Sequence, residues 1–498
     1  MARLATFIVS LLAVLEVSAS PSVRTLSQIK ETLNRSQATW QAGESWVTDH
    51  SPSERKKLLG AELPEGFGDE FRDRSEAAPS PRSRAALDWR NYGGENYVSP
   101  MLNQGRCGSC VAFAVIGALE TQMNITRRTP NSPWAFSPQH LFSCGGGGCE
   151  SGWRPGNAMA YLKSSGVPDE TCFPYLGGAK GEDISCKSTC SNSKERSFKI
   201  ADHNMPTWLW GSKDAVKNAL QKGPVVTSML VYDDFFYYKS GIYKHTTGSM
   251  AGGHAVTIIG FSDEEKVWII RNSWGEDWGD KGFAKISWDD TSGIGTQTWA
   301  MTLGDPEGFV TLGSLRDRQV MERTVALTPQ SSVAGHHGFD VMVKDLAGNV
   351  SFVRQYEDQK FAFDTTKYKD GVYILTASAA VGGKTLLSQP RTVYVLNGNL
   401  SSNELKFTNL KEGQELKEKF VFEFDAASAP VPFTEVIFTA KNLGTGEETV
   451  RRTPNVAPKM ALNWRLADAA VGEYEVKLTG KAGTQSVEGP SVKIKVVR

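Results

Sequence analysis

All seven cysteines of this 498-residue chain lie between Cys107 and Cys190, and the last 308 residues contain none. An odd number confined to one stretch leaves at least one thiol without an intrachain partner. It also points to one disulfide-tied unit in a chain exposed to oxidising conditions. The N-terminus agrees. Arg3 precedes the apolar run from Ala5 to Leu15, which is too short to cross a bilayer and leads into Val17-Ser-Ala-Ser20. That order predicts a secretory signal peptide over residues 1–20, hence an exported chain with no membrane span.

Lys and Arg together number 55, as do Asp and Glu, which argues against a nucleic-acid or polyanion binder. At roughly 150 residues per domain the length predicts about three units. After the signal, residues 21–84 are polar with a helical beat at Val23, Leu26, Ile29 and Leu33. The part from Asp69 to Arg84 reads as an exposed linker. The Cys-, Trp- and Gly-rich region follows over residues 85–306. Beyond a connector near 305–320, alternating strands such as Phe420–Phe424 and Val492–Val496 take over.

This last region looks repeated. Gly371-Val-Tyr373 recurs as Gly472-Glu-Tyr474, 101 residues later, and Pro390 before one terminal strand is answered by Pro490 before another. The period predicts two all-β sandwich modules, over 318–397 and 398–498. They lack the Cys…Trp…Cys pattern of antibody domains, so Ig-like is an architectural analogy. They read as spacers or stabilisers, or as binders of a surface or glycan ligand, and no residue selects the latter.

The chemistry gathers around Asn103-Gln-Gly-Arg-Cys107-Gly-Ser-Cys110. The apolar run after Cys110 predicts a buried helix with Cys110 in its first turn, where backbone N–H groups and the helix dipole should lower the thiol pKa. His254 opens an apolar strand, and Asn272 closes the next one, where its amide could orient the imidazole. Gln104 could direct its NH₂ at an oxyanion beside the Cys110 N–H.

Together these residues resemble the papain family of cysteine proteases, whose local signature is Cys-Gly-Ser/Ala-Cys followed by an aromatic. His254 lies 144 and Asn272 162 residues after Cys110. Asp88-Trp-Arg-Asn91, Asn96-Tyr-Val-Ser-Pro100, Cys172-Phe-Pro-Tyr175 and Gly241-Ile-Tyr243 are similar to the catalytic chain of cathepsin C, dipeptidyl peptidase I. Thr39-Trp40-Gln-Ala-Gly43 with Lys57-Leu-Leu-Gly60 is similar to the short prosegments of cathepsin B-like enzymes. The resemblance implies an α+β, two-lobed peptidase fold with the cleft between its lobes. It implies an inhibitory propeptide over 21–84 that lies in the cleft in reverse, and a Cys110–His254–Asn272 triad with Gln104 at the oxyanion. Gly152 would be a substrate backbone contact and Trp153 a wall of the S2 pocket, while Trp274 would shield the Asn–His contact. The implied disulfides are Cys107–Cys149, Cys144–Cys186 and Cys172–Cys190, leaving Cys110 free. Protein or peptide substrates, no cofactor or metal, and a secreted or lysosome-like location follow from the same likeness.

Val111 stands where the family usually has an aromatic, and Gly253 where relatives often have Asp or Asn. Neither the large exclusion domain of cathepsin C nor the His-bearing occluding loop of cathepsin B has a counterpart, which favours an endopeptidase. A dipeptidyl exopeptidase and a non-catalytic adhesion protein on a protease scaffold are the alternatives. Taken alone, Cys107-Gly-Ser-Cys110 could be a redox pair, or half of a zinc site with Cys144 and Cys149. The distant His and Asn motifs and the exported context weigh against both. His245 and the pair His336-His337 are expected at the surface.

Overall fold

The computed structural model describes residues 25–67, 85–131, 134–208, 212–304, 310–313, 315–331, 338–355, 361–417, 419–426, 428–454, 459–466 and 469–497. The expected signal peptide over residues 1–20, the expected linker over Asp69–Arg84 and His336-His337 lie outside these.

Thr25 and Gln28 form a reciprocal capping box that starts helix α1 (Leu26–Arg35), whose Ile29 and Leu33 are buried as the helical beat requires. A short strand, Trp40–Ala42, pairs with Tyr238–Tyr243, so the N-terminal segment adds an edge to the central sheet. Helix α2 (Pro52–Lys56) has its own capping box, Ser51 with Glu54. Helix α3 (Cys110–Arg127) is buried from Cys110 through Asn124. A helix buried over so long a run, polar Glu120, Gln122 and Asn124 included, needs packing on every side. It receives it from the helices Pro138–Gly145 and Pro155–Ser164 and from the strand Met250–Ser262. No helix among the described residues is long and apolar enough to cross a membrane.

Residues 25–304 hold two hydrophobic cores. One is mainly helical and holds Cys110, Val115, Leu141 and Leu162; the other is strand-rich and holds Val256, Ile270, Trp274 and Trp278. The strands Met250–Ser262 and Val267–Arg271 are antiparallel neighbours, with Thr257 opposite Arg271. Three disulfides tie the helical half: Cys107–Cys149, Cys144–Cys186 and Cys172–Cys190. Cys110 is free and buried.

The C-terminal region is all β. The strands Gly371–Val381 and Gly472–Ala482 have equal length and equivalent partners: Gly371 faces Val395 and Gly472 faces Val496. A parallel strand closes each arrangement, with Met321 beside Val395 and Leu416 beside Val496. Tyr373 Oη donates to Lys369 O at 2.9 Å and Tyr474 Oη to Ala470 O at 2.8 Å, each bridging four residues back into the preceding turn. Val310, Leu312 and Leu315, expected in the connector, pack into the first of these cores. That unit also touches the helical half, where Ala135 N donates to Gln389 Oε1 and Arg318 reaches Glu170.

One sequence expectation changes here. His245 is not a free surface group. It stacks on Tyr232 with ring centroids 3.7 Å apart, and its Nδ1 lies 3.1 Å from the fully buried Asp234.

Candidate active site

Cys110 is the first residue of α3, and the backbone of Ala255, Gly60 and Val111 acts on its thiol in the direction that favours the thiolate. Ala255 is the residue after His254, so the strand that carries the imidazole also touches the thiol. His254 Nε2 lies 2.8 Å from Asn272 Oδ1. The Ser273 N–H donates to the same oxygen, which fixes the amide with its carbonyl toward the ring. A carbonyl oxygen only accepts, so Nε2 carries the proton and Nδ1 keeps its lone pair. Among the described residues that Nδ1 is buried without a hydrogen-bond partner, in the state expected of a base. Trp274 covers the pair, its ring centroid 4.8 Å from that of His254.

Gln104 is fully buried beside them. Its Oε1 accepts from Ser273 Oγ at 2.6 Å. That bond turns the NH₂ toward the Cys107 carbonyl at 2.8 Å and the Leu58 carbonyl at 2.9 Å. Ser273 therefore orients both Gln104 and Asn272. Sequence reasoning passed over it, because nothing local links it to a glutamine 169 residues earlier.

The N-terminal segment crosses this site. Trp46 Nε1 donates to Trp274 O at 2.7 Å, and Trp46 N to Asp277 Oδ2 at 2.9 Å. Leu58 then reaches Gln104, Gly60 lies over Cys110, and Ala61 pairs with Trp153 in a parallel bridge. Trp153 N donates to Gly60 O, Glu62 N to Trp153 O and Ala61 N to Gly253 O.

The backbone bonds thus fall on Trp153, one residue past the expected Gly152. Gly152 instead exchanges both its backbone bonds with Gly148 at φ 74°. A Cβ there would also overlap the Gly60 carbonyl, so glycine is needed for both conformation and approach. The Trp153 side chain is not a pocket wall here. It turns inward, edge-on to Phe142 and against Gly145, because the helical core offers the indole a dry site.

The thiol departs from expectation too. Burial pushes Cys110 up to about 11, outweighing the backbone donors and the helix start. Burial also pushes His254 down to about 4, with the Asn272 bond opposing it. The signs of these two shifts predict how the covered state responds to pH. A depressed imidazole favours the covered state above its ordinary 6.5, and that advantage is lost as pH falls from 6.5 through 4. The full span is worth roughly 3 kcal/mol, on the order of a hundredfold. The raised thiol acts at the other end and weakens the covered state only as pH climbs from 9 through 11. Exchange protection of the Ala61 and Glu62 amides, corrected for intrinsic rates, should therefore fall on acidification from about pH 7 to about pH 4. A flat profile contradicts this.

Residues 84–302 match the family model described as papain family cysteine protease. Cathepsin B-like CP3 of Giardia intestinalis is 34% identical over 200 residues, spanning 38% of this chain and 64% of the relative. Cathepsin J of Mus musculus is 35% identical over 231 residues, spanning 43% and 63%. The chain thus spans slightly under two thirds of the length of these curated relatives. Among solved structures, proCathepsin B S9 from Trypanosoma congolense aligns with a TM-score of 0.48 at 23% identity, covering 57% of this chain and 99% of that one. Residues 84–302 form a papain-family cysteine peptidase domain.

Proposed function

We propose that the protein is an exported zymogen whose mature form hydrolyses internal peptide bonds, with residues 25–67 as part of its inhibitory prosegment. The observation that carries this is the course of that segment. It runs as one continuous chain from Trp46 at Trp274, past Leu58 at Gln104, to Ala61 and Glu62 at Trp153. A cleft that holds backbone on both sides of the thiol can hold an extended substrate in the same way. Three disulfides suit a secretory or lysosome-like compartment.

In this reading the uncovered Cys110 sulfur attacks the scissile carbonyl carbon, and its proton passes to His254 Nδ1. The Gln104 NH₂ and the Cys110 N–H hold the tetrahedral oxyanion, as the Gln104 amide now holds the Leu58 carbonyl. The imidazolium gives its proton to the departing amine. Water, deprotonated by the same nitrogen, then releases the acyl group, while Asn272 keeps the ring in its tautomer.

Comparing peptides blocked at both ends with free-ended peptides tests the endopeptidase assignment. Cleavage of the blocked peptide supports it, and cleavage confined to the dipeptide at a free N-terminus replaces it with the exopeptidase. Asn272→Ala should lower kcat on the order of a hundredfold with KM little changed, since the ring loses its orientation rather than the substrate its contacts. An unchanged kcat would remove Asn272 from the mechanism.

A further inference from the structure

The strand Glu448–Pro454 is the outer strand of the last large sheet. On it Arg451 lies opposite Phe438, which in turn faces Leu478. Phe438 and Leu478 are core residues, so Arg451 occupies a core-facing register position. The repeat identifies its counterpart. In the first module Val353 lies opposite Val341, which faces Ala377, and Ala377 and Leu478 are 101 residues apart. Val353 packs against its own core as that register requires. A cation in place of valine there needs an anion brought to it.

That anion comes from the N-terminal segment. Arg451 Nε donates to Asp49 Oδ1 at 2.8 Å, and Nη2 to Glu44 Oε2 at 3.0 Å. Arg451 is 8% and Asp49 5% exposed, so this is a desolvated pair. Thr449, Trp464 and Ala469 of the module and Leu26 and Thr48 of the segment line a small void beside it. The same loop seats Trp46 on the Trp274 carbonyl, directly behind the ring that covers His254.

We infer that the second β module is part of the inhibitory device: its Arg451 face docks the acidic loop Glu44–Asp49 and holds the prosegment in the cleft. This rests on the reading of residues 25–67 as a prosegment. Truncating one member of a buried charge pair strands the other, so removing either side should loosen the loop and, through Trp46, the residues over Cys110.

The test uses the full-length chain with Cys110→Ala, which cannot process itself, and follows hydrogen exchange by mass spectrometry. Arg451→Val installs the residue of the first module and should keep the sheet folded. It is expected to raise opening at Ala61 and Glu62 about tenfold or more. Asp49→Asn should do the same, and the two together no more than either alone. Unchanged protection of Ala61 and Glu62 in Arg451→Val, with the strand Glu435–Asn442 still protected, overturns the inference. Should that strand lose protection, Asp49→Asn alone decides, a rise supporting the inference and no change overturning it. Since no variant carries the thiol, the outcome is independent of peptide hydrolysis; failure of the peptidase reading would show only in the substrate assay.

Discussion

Cys110→Ala is expected to abolish hydrolysis, lowering kcat/KM by about 10⁴-fold or more, because the pathway through a covalent acyl intermediate disappears with the sulfur. The fold should survive. Cys110 is fully buried and takes no part in a disulfide. Alanine is also the best helix former at the start of α3. Circular dichroism and thermal unfolding of the variant should match the parent while turnover is lost. A variant that retains activity within tenfold of the parent would place the nucleophile elsewhere.

The second large effect is expected at Gly60. A Cβ on this residue would overlap the Gly108 carbonyl, a backbone group of the loop closed by the Cys107–Cys149 disulfide, which cannot step aside. Gly60→Ala must therefore lift the prosegment, and the bonds from Trp153 N to Gly60 O and from Ala61 N to Gly253 O go with it. Overpacking and lost hydrogen bonds together amount to about 2–3 kcal/mol, roughly thirty- to a hundredfold in the open population. The variant zymogen should convert correspondingly faster under conditions where the parent is latent. On the proposed zymogen reading the mature form would lack residue 60, and its kinetics should be unchanged. Equal conversion rates would mean that Gly60 does not set the closed state.

How far the sequence spoke for itself depends on how local each cause is. Cys110 at the head of a buried helix was legible, since an apolar run after a Gly-Ser pair constrains little else. His254 and Asn272 were legible for a related reason: they belong to two adjacent antiparallel apolar strands, Asn272 directly after the second, although His254 lies inside the strand Met250–Ser262 rather than at its start. The 101-residue repeat carried over into matching registers at Val395 and Val496. The ionisation of Cys110 was not legible, because the helix start that lowers it is local, whereas the burial that raises it is set by everything the fold packs around the thiol. The Trp153 indole went astray because its direction is set by Phe142 and Gly145 in the core rather than by its neighbours in sequence. Arg451 and Asp49 are 402 residues apart, and no pattern on either strand announces that they meet.

The central claim is that one thiol, Cys110, becomes the nucleophile when the prosegment leaves the cleft. Peptide mapping after exposure to an epoxide inhibitor of papain-like enzymes tests it most directly, with the chain treated before and after prosegment removal. The account predicts a single covalent adduct, on Cys110, formed rapidly only after removal and absent at the six disulfide cysteines. Equal labelling of Cys110 in both forms would contradict the covering role of residues 58–62. No adduct in either form would contradict Cys110 as the nucleophile.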